Sequence, residues 1–203
     1  MTTLFRILRL AVVQPLARMA GRLEVHGRHH LPPDGGCIVA CNHTGWVDPL
    51  WLGLAVGGDR VHFLAKRELF APAPVGALLR RCHVVPIDRQ RPGADSLRAC
   101  RRLLAEGKVL LLFPGGTRST GAVAFKRGAA TLAAMAGVPI VPARYSGPAG
   151  LSAAHLLRRP AVRVVFGPPI APAPAAGRDD DGRRAVRAVT DRLAAAVDAL
   201  AEG

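Results

Sequence analysis

The sequence predicts an α/β fold: a single domain built on one mixed, largely parallel sheet with helices on both faces, preceded by an amphipathic helical segment. Three observations predict it. Short apolar runs rich in β-branched residues alternate with helical patterns, the signature of successive βαβ units. The runs in the middle of the chain are almost uninterruptedly apolar, as strands covered on both faces must be. The 203 residues are about one domain's worth, and with 50% hydrophobic and 21% charged residues the chain is neither disordered nor collagen-like.

Taken in order, residues 3–22 are helical in composition. Leu4, Ile7, Leu8 and Ala11 gather on one side, and Arg6 and Arg9 lie nearer the other. Pro15 should kink or break this helix. Beyond it Gln14, Arg18 and Arg22 recur every four residues as a polar stripe, so residues 1–22 read as an amphipathic segment able to lie at a lipid headgroup layer. A plain N-terminal helix packed on the core is the other reading. Strands are expected at 23–26, 37–41, 61–65, 83–87, 109–113, 140–145 and 162–166, with helices at 49–56, 75–81, 94–106, 127–136 and 150–157 between them. The domain proper is thus 23–170. Residues 171–182, rich in Ala, Pro, Gly and Asp, read as a solvated linker to a final helix, 183–203, whose Val186, Val189, Leu193, Val197 and Leu200 share one stripe.

Charge and cysteine usage narrow the function classes. The 28 Lys+Arg residues exceed the 14 Asp+Glu by a net +14, and all but Lys66, Lys108 and Lys126 are arginine. Such a balance points to an anionic partner, and the guanidinium fork suits phosphate and carboxylate. Aromatics are only 4% of the chain and the arginines are dispersed, which argues against nucleic acid. Cys37, Cys41, Cys82 and Cys100 show no metal-binding spacing and read as reduced, buried side chains. No run reaches the roughly 18 apolar residues of a spanning helix, and the longest uncharged stretch, Gly128 to Ala143, is broken by Pro139 and Pro142. Arg6, Arg9 and Arg18 are scattered through the first apolar stretch rather than ahead of it, unlike a secretory leader.

In open sheets, chemistry gathers in the turns at the carboxyl ends of strands. Three such turns carry unusual residues. The first, after the 37–41 strand, reads Asn42-His43-Thr44-Gly45-Trp46-Val47-Asp48-Pro49. Asp48 before proline suits a helix start, with the aspartate as N-cap. The cap could hold alongside a second role: if the turn folds back, the carboxylate can hold one ring nitrogen of His43 and leave the other as a base. The second turn closes an apolar run in Asp88-Arg89. The third, Phe113-Pro114-Gly115-Gly116-Thr117-Arg118-Ser119, combines glycines, hydroxyls and an arginine directly after a strand, a loop whose backbone can approach an anion closely.

With these residues in view, the chain resembles the PlsC-like glycerolipid acyltransferases, the 1-acylglycerol-3-phosphate acyltransferase family, whose motifs occur in the same order. The His-x₄-Asp motif is matched by His43 to Asp48, the second motif by the run ending in Asp88-Arg89, and the third, Phe-Pro-Glu-Gly-Thr-Arg-Ser, by Phe113 to Ser119 with Gly115 in place of the glutamate. Phe125-Lys126-Arg127-Gly128 and Val138-Pro139-Ile140-Val141-Pro142 are similar to two further family segments. The resemblance implies acyl transfer from acyl-CoA or acyl carrier protein to the free hydroxyl of a lysophospholipid, most naturally 1-acylglycerol-3-phosphate, with no bound cofactor and no metal. It makes His43 the general base oriented by Asp48. Arg118, with Arg89 and Lys126, would hold the acceptor's phosphate, and Gly116 and Thr117 would donate to it. It also implies a peripheral enzyme on an anionic membrane surface at the cytoplasmic face. Gly115 leaves open an acceptor of another kind, such as a lyso-aminolipid or a secondary metabolite. A covalent route through Ser146 or Cys41 lacks the Gly-x-Ser-x-Gly elbow or a suitable strand geometry.

Overall fold

The apolar runs assemble side by side into one sheet. The structure, a computed structural model, describes residues 6, 7, 9–88, 93–115, 125, 127–174 and 180–201. Its strands are β1 (Arg22–His26), β2 (Cys37–Cys41), β3 (Val61–Lys66), β4 (Val84–Ile87), β5 (Val109–Leu112), β6 (Ile140–Ser146) and β7 (Ala161–Phe166), in the spatial order β1-β7-β6-β2-β5-β3-β4. Every neighbouring pair is parallel except β6 and β7. Consequently β2 to β6 share one direction and present their carboxyl ends at one edge, while β1 and β7 run the other way.

The helices are α1 (Gln14–Ala20), α2 (Asp48–Val56), α3 (Ala73–Arg81), α4 (Ala94–Ala105), α5 (Gly128–Ala136), α6 (Ala153–Arg158) and α7 (Asp180–Ala199). Strand β2 shows why the fold needs helices on both sides. All its residues are fully buried, and because successive side chains alternate, Cys37, Val39 and Cys41 face Trp51, Leu52 and Ala55 of α2, whereas Ile38 and Ala40 face Leu104 of α4, Ala133 of α5 and Leu193 of α7. At about 1.5–3 kcal/mol for each large side chain buried, these two layers supply the main driving force for folding.

Three boundaries differ from the sequence expectation. Pro15 does not end the N-terminal helix: a π-helical turn, Arg9–Val13, runs directly into α1, and this change of winding immediately before the proline accommodates a ring that has no N–H to give the preceding turn. The helix stops at Ala20, and Arg22, read with the polar stripe, opens β1 in register with Ala161. Nor is the stretch after β7 wholly solvated. Ile170 pairs with Ile140, Ala173 is buried in the second core layer, and α7 begins at Asp180, where Asp180 and Asp181 favour the positive end of the helix and pair with Arg183 and Arg184.

At the opposite edge from the strand carboxyl ends, His62 of β3 and His83 stack with ring centroids 4.6 Å apart and planes within 8°. Burial lowers both pKa values below the usual 6.5, with only partial compensation from backbone partners. The unfolded chain takes up protons as the pH falls through that value, while the folded pair does not until lower pH. The resulting contribution is complete above it and lost on acidification. Thermal melts from about pH 7.5 down to about pH 5.5 are therefore expected to show falling Tm, with a shallower slope in His62→Phe, which keeps a flat ring against His83 but removes a titrating group.

Candidate active site

The site begins with topology. β2 and β5 are neighbours, with Ala40 opposite Leu112. From β2 the chain departs through α2 toward β3, and from β5 it departs through α5 toward β6, on the other side and over the other face. Two adjacent strands whose continuations diverge leave a crevice above their carboxyl ends, the usual place for a ligand in such sheets. His43 follows β2 by two residues, and Phe113 follows β5 directly. Their rings meet at 4.5 Å between centroids, tilted by 31°.

Asp48 is the centre of the turn. Its carboxylate has no exposed surface, yet it gathers four donors. Oδ2 accepts from His43 Nδ1 at 3.0 Å and from the backbone N–H groups of Thr44 and Gly45, and Oδ1 accepts from the Thr44 hydroxyl at 3.1 Å. A buried anion tolerates loss of water only when donors replace it in this way. Since the carboxylate accepts, Nδ1 carries a proton, and in the neutral ring the lone pair is therefore on Nε2. The His43 side chain retains 10% of its surface exposed. The N-cap role that Asp48-Pro49 suggests does not hold. Val47 is the N-cap, Asp48 the first helical residue, and the carboxylate turns back onto the loop before it. That fold-back explains the five-residue spacing.

Residues assigned no role from sequence fix the turn in place. Asn42 bridges β2 to β6 as a backbone mimic: its Nδ2 donates to the Tyr145 carbonyl at 3.0 Å and its Oδ1 accepts from the Tyr145 N–H at 2.7 Å. The Tyr145 hydroxyl in turn donates to the Pro148 carbonyl at 2.7 Å, securing the segment that lies over Gly45. Gly45 must be glycine for room, since a Cβ there would overlap the carbonyl oxygen of Ala149. Gly45→Ala is expected to destabilise the protein by about 1–3 kcal/mol through backbone displacement. Activity should fall further than a surface change of equal cost in Tm, because the displaced N–H is one that holds Asp48. The bonds of Thr44 and Gly45 to Asp48 are local, whereas the Asn42–Tyr145 bridge, the approach of Ala149 to Gly45 and the contact of Phe113 with His43 are tertiary.

Neither candidate nucleophile is poised. Cys41 is fully buried, its thiol donates to Asn42 Oδ1 at 3.3 Å, and burial together with the Asp48 carboxylate raises its pKa far above the range in which a thiolate forms. Ser146 ends β6, past the Asn42 bridge. Asp88 is exposed just after β4. Of the residues expected to bind the acceptor, Arg89, Gly116, Thr117, Arg118 and Lys126 lie outside the described residues. What the structure does bring to His43 is Phe113, the residue that leads from β5 into the loop of Gly116, Thr117 and Arg118. Among the described residues no group of His, Cys, Asp and Glu is arranged to hold a metal ion.

This geometry can be set beside known proteins. The family model described as Acyltransferase matches residues 22–146, which span β1 to the end of β6 and so the whole crevice. A 1-acyl-sn-glycerol-3-phosphate acyltransferase of Bacillus subtilis is 38% identical over 152 residues, covering 75% of this chain and 75% of the relative. The protein of the same name from Streptococcus pneumoniae is 34% identical over 168 residues, covering 82% of this chain and 62% of the relative. The crystal structure of the acyltransferase PlsC from Thermotoga maritima superposes with a TM-score of 0.63 at 23% identity, over 95% of this chain and 80% of that one, a likeness of fold. With His43, Asp48 and the β2/β5 crevice all inside the matched segment, the chain belongs to the acyltransferase family.

Proposed function

We propose that the protein moves a fatty acyl group from an acyl thioester to the free hydroxyl of 1-acylglycerol-3-phosphate, giving phosphatidic acid. The observation that carries this reading is the His43–Asp48 pair at the mouth of the β2/β5 crevice, in a chain whose relatives bear that activity in their names. His43 Nε2 removes the hydroxyl proton as the alkoxide oxygen attacks the thioester carbonyl. Asp48 steadies the imidazolium so formed. Collapse of the tetrahedral intermediate breaks the carbon–sulfur bond, and the departing thiolate takes the proton from Nε2. The thioester is already activated, so neither a bound cofactor nor a metal is required, and acyl-CoA or acyl carrier protein serves as co-substrate. Arg118, aided by Arg89 and Lys126, holds the acceptor's phosphate, with Gly116 and Thr117 donating to it.

Acceptor and product reside in bilayers, so the enzyme works at an anionic membrane, at its cytoplasmic face. Among the described residues no helix is long and apolar enough to cross it. The attachment we propose is peripheral: Arg6, Arg9, Arg18 and Arg22 each contribute about 1 kcal/mol near anionic lipid. A thiol-release assay of the pure protein with palmitoyl-CoA and a panel of lysolipids tests the whole reading. Release stimulated most by 1-acylglycerol-3-phosphate is the expected result, and no stimulation by any lysolipid would refute acyl transfer. Preference for a lyso-aminolipid would keep the chemistry and assign the Gly115 departure to a changed acceptor.

A further inference from the structure

The imidazole of His43 meets the protein in two ways. Its Nδ1 donates to Asp48, and its ring lies against that of Phe113, with centroids 4.5 Å apart and planes tilted by 31°. A hydrogen bond at one nitrogen leaves a ring able to swing about that bond. A flat wall against the ring stops the swing and so sets the direction in which Nε2 points. Phe113 is suited to be that wall. It follows β5 directly, is half-buried, and packs against the core layer that contains Cys41, Val47 and Leu52. Ala40 and Leu112 are in register, so the residues that follow them leave the sheet side by side. A tilt of 31° is nearer to stacked than to edge-on, and what the imidazole meets is therefore the face of the phenyl ring.

The wall is also aromatic, and the reaction turns the ring it faces into a cation. When Nε2 takes the hydroxyl proton, the imidazole gains a full positive charge. Asp48 balances that charge only in part, because its carboxylate is already shared: Oδ2 accepts from the Thr44 and Gly45 N–H groups as well as from Nδ1, and Oδ1 accepts from the Thr44 hydroxyl. The chain carries a net charge of +14, so the wider field disfavours one more cation. An aromatic face is the negative pole of the ring's quadrupole and attracts a cation within about 6 Å of its centroid. Unlike a second carboxylate, it offers no acceptor that would draw the proton off Nε2 or pair with a substrate-binding arginine. Resting on the acyl-transfer reading above, we infer that Phe113 is a positioning residue for the reaction: its ring sets the plane of the His43 imidazole, and its π-face stabilises the imidazolium formed as the acceptor hydroxyl loses its proton.

Fluorine withdraws charge from a phenyl face while nearly keeping the ring's shape, so mono-, di- and trifluorinated phenylalanine placed at position 113 test the π-face in a folded protein. With palmitoyl-CoA and 1-acylglycerol-3-phosphate, kcat is expected to fall stepwise along the series, by about 2- to 30-fold in all, the range of a cation–π contact, with both KM values unchanged. Phe113→Leu keeps an apolar wall without a π-face and should fall at least as far; Phe113→Tyr, aromatic again, should keep most of the rate. In proton NMR spectra the carbon-bound ring protons of His43, assigned by their disappearance in His43→Ala, should lie upfield in the wild type and move downfield in Phe113→Leu as the ring current is lost. The inference is overturned if the fluorinated proteins turn over as fast as the wild type, since the ring would then be no more than packing. It is equally overturned if the wild-type protons show no upfield displacement, or if the fall lies wholly in the acceptor's KM, for Phe113 would then act on the substrate. Wild-type protein that releases no thiol with any lysolipid would instead bring down acyl transfer itself, and this inference with it.

Discussion

Replacing His43 with alanine is expected to lower acyl transfer by roughly 10²–10⁴-fold, the range lost with a positioned general base, while circular dichroism and Tm change little. The small structural effect follows from the contacts. The imidazole donates one hydrogen bond to Asp48 and rests on Phe113, and its removal leaves the carboxylate still held by the Thr44 and Gly45 N–H groups and by the Thr44 hydroxyl. The catalytic effect is large because no other side chain in the turn offers a basic nitrogen to the crevice. Steady-state turnover with saturating thioester and acceptor is the measurement. Near-normal rates in a folded variant would take His43 out of the reaction.

At Asp48 two substitutions separate charge from architecture. In Asp48→Ala the Thr44 and Gly45 N–H groups lose their acceptor in a buried place, at about 1–3 kcal/mol for each orphaned donor, so Tm and turnover should fall together. Asp48→Asn keeps one oxygen that can occupy the Oδ2 position, accept those N–H groups and still receive His43 Nδ1–H. The other position, now an amide nitrogen, meets the Thr44 hydroxyl, which can accept as well as donate. Stability should therefore be largely retained. Turnover should nonetheless fall by at least roughly 10²-fold, because the neutral amide cannot balance the imidazolium formed when the hydroxyl proton is taken. Equal activity in Asp48→Asn and wild type would mean that Asp48 only shapes the loop.

The strands were legible because burial on two faces leaves no room for polar residues. Cys37–Cys41 and Val109–Leu112 are read from composition within a residue of their observed ends. The edge was not. β1 is exposed on alternate residues, so Arg22 resembled the polar side of a helix until its pairing with Ala161 drew it into the sheet. Likewise Ala173 sits in a run of Pro and Ala that looks solvated, and only its packing in the second core layer shows otherwise. At the site, His43 and Asp48 could be named from their spacing and setting. The return of the carboxylate onto Thr44 and Gly45 could not, because Asp-Pro serves a helix cap equally well.

What the residue order settled unaided is the supply of chemistry: an imidazole, a carboxylate five positions on, arginines in excess, and enough alternation of apolar runs to require a covered sheet. These are local properties, fixed by side-chain type and spacing. Folding decided which neighbours those groups have. β5 was inserted between β2 and β3, and the chain left β2 and β5 in opposite directions, so that Phe113 reached His43 and Tyr145 reached Asn42. Such neighbours are far apart along the chain. Their meeting depends on strand register and crossover handedness, which arise from packing the whole domain and are written in no short stretch of it.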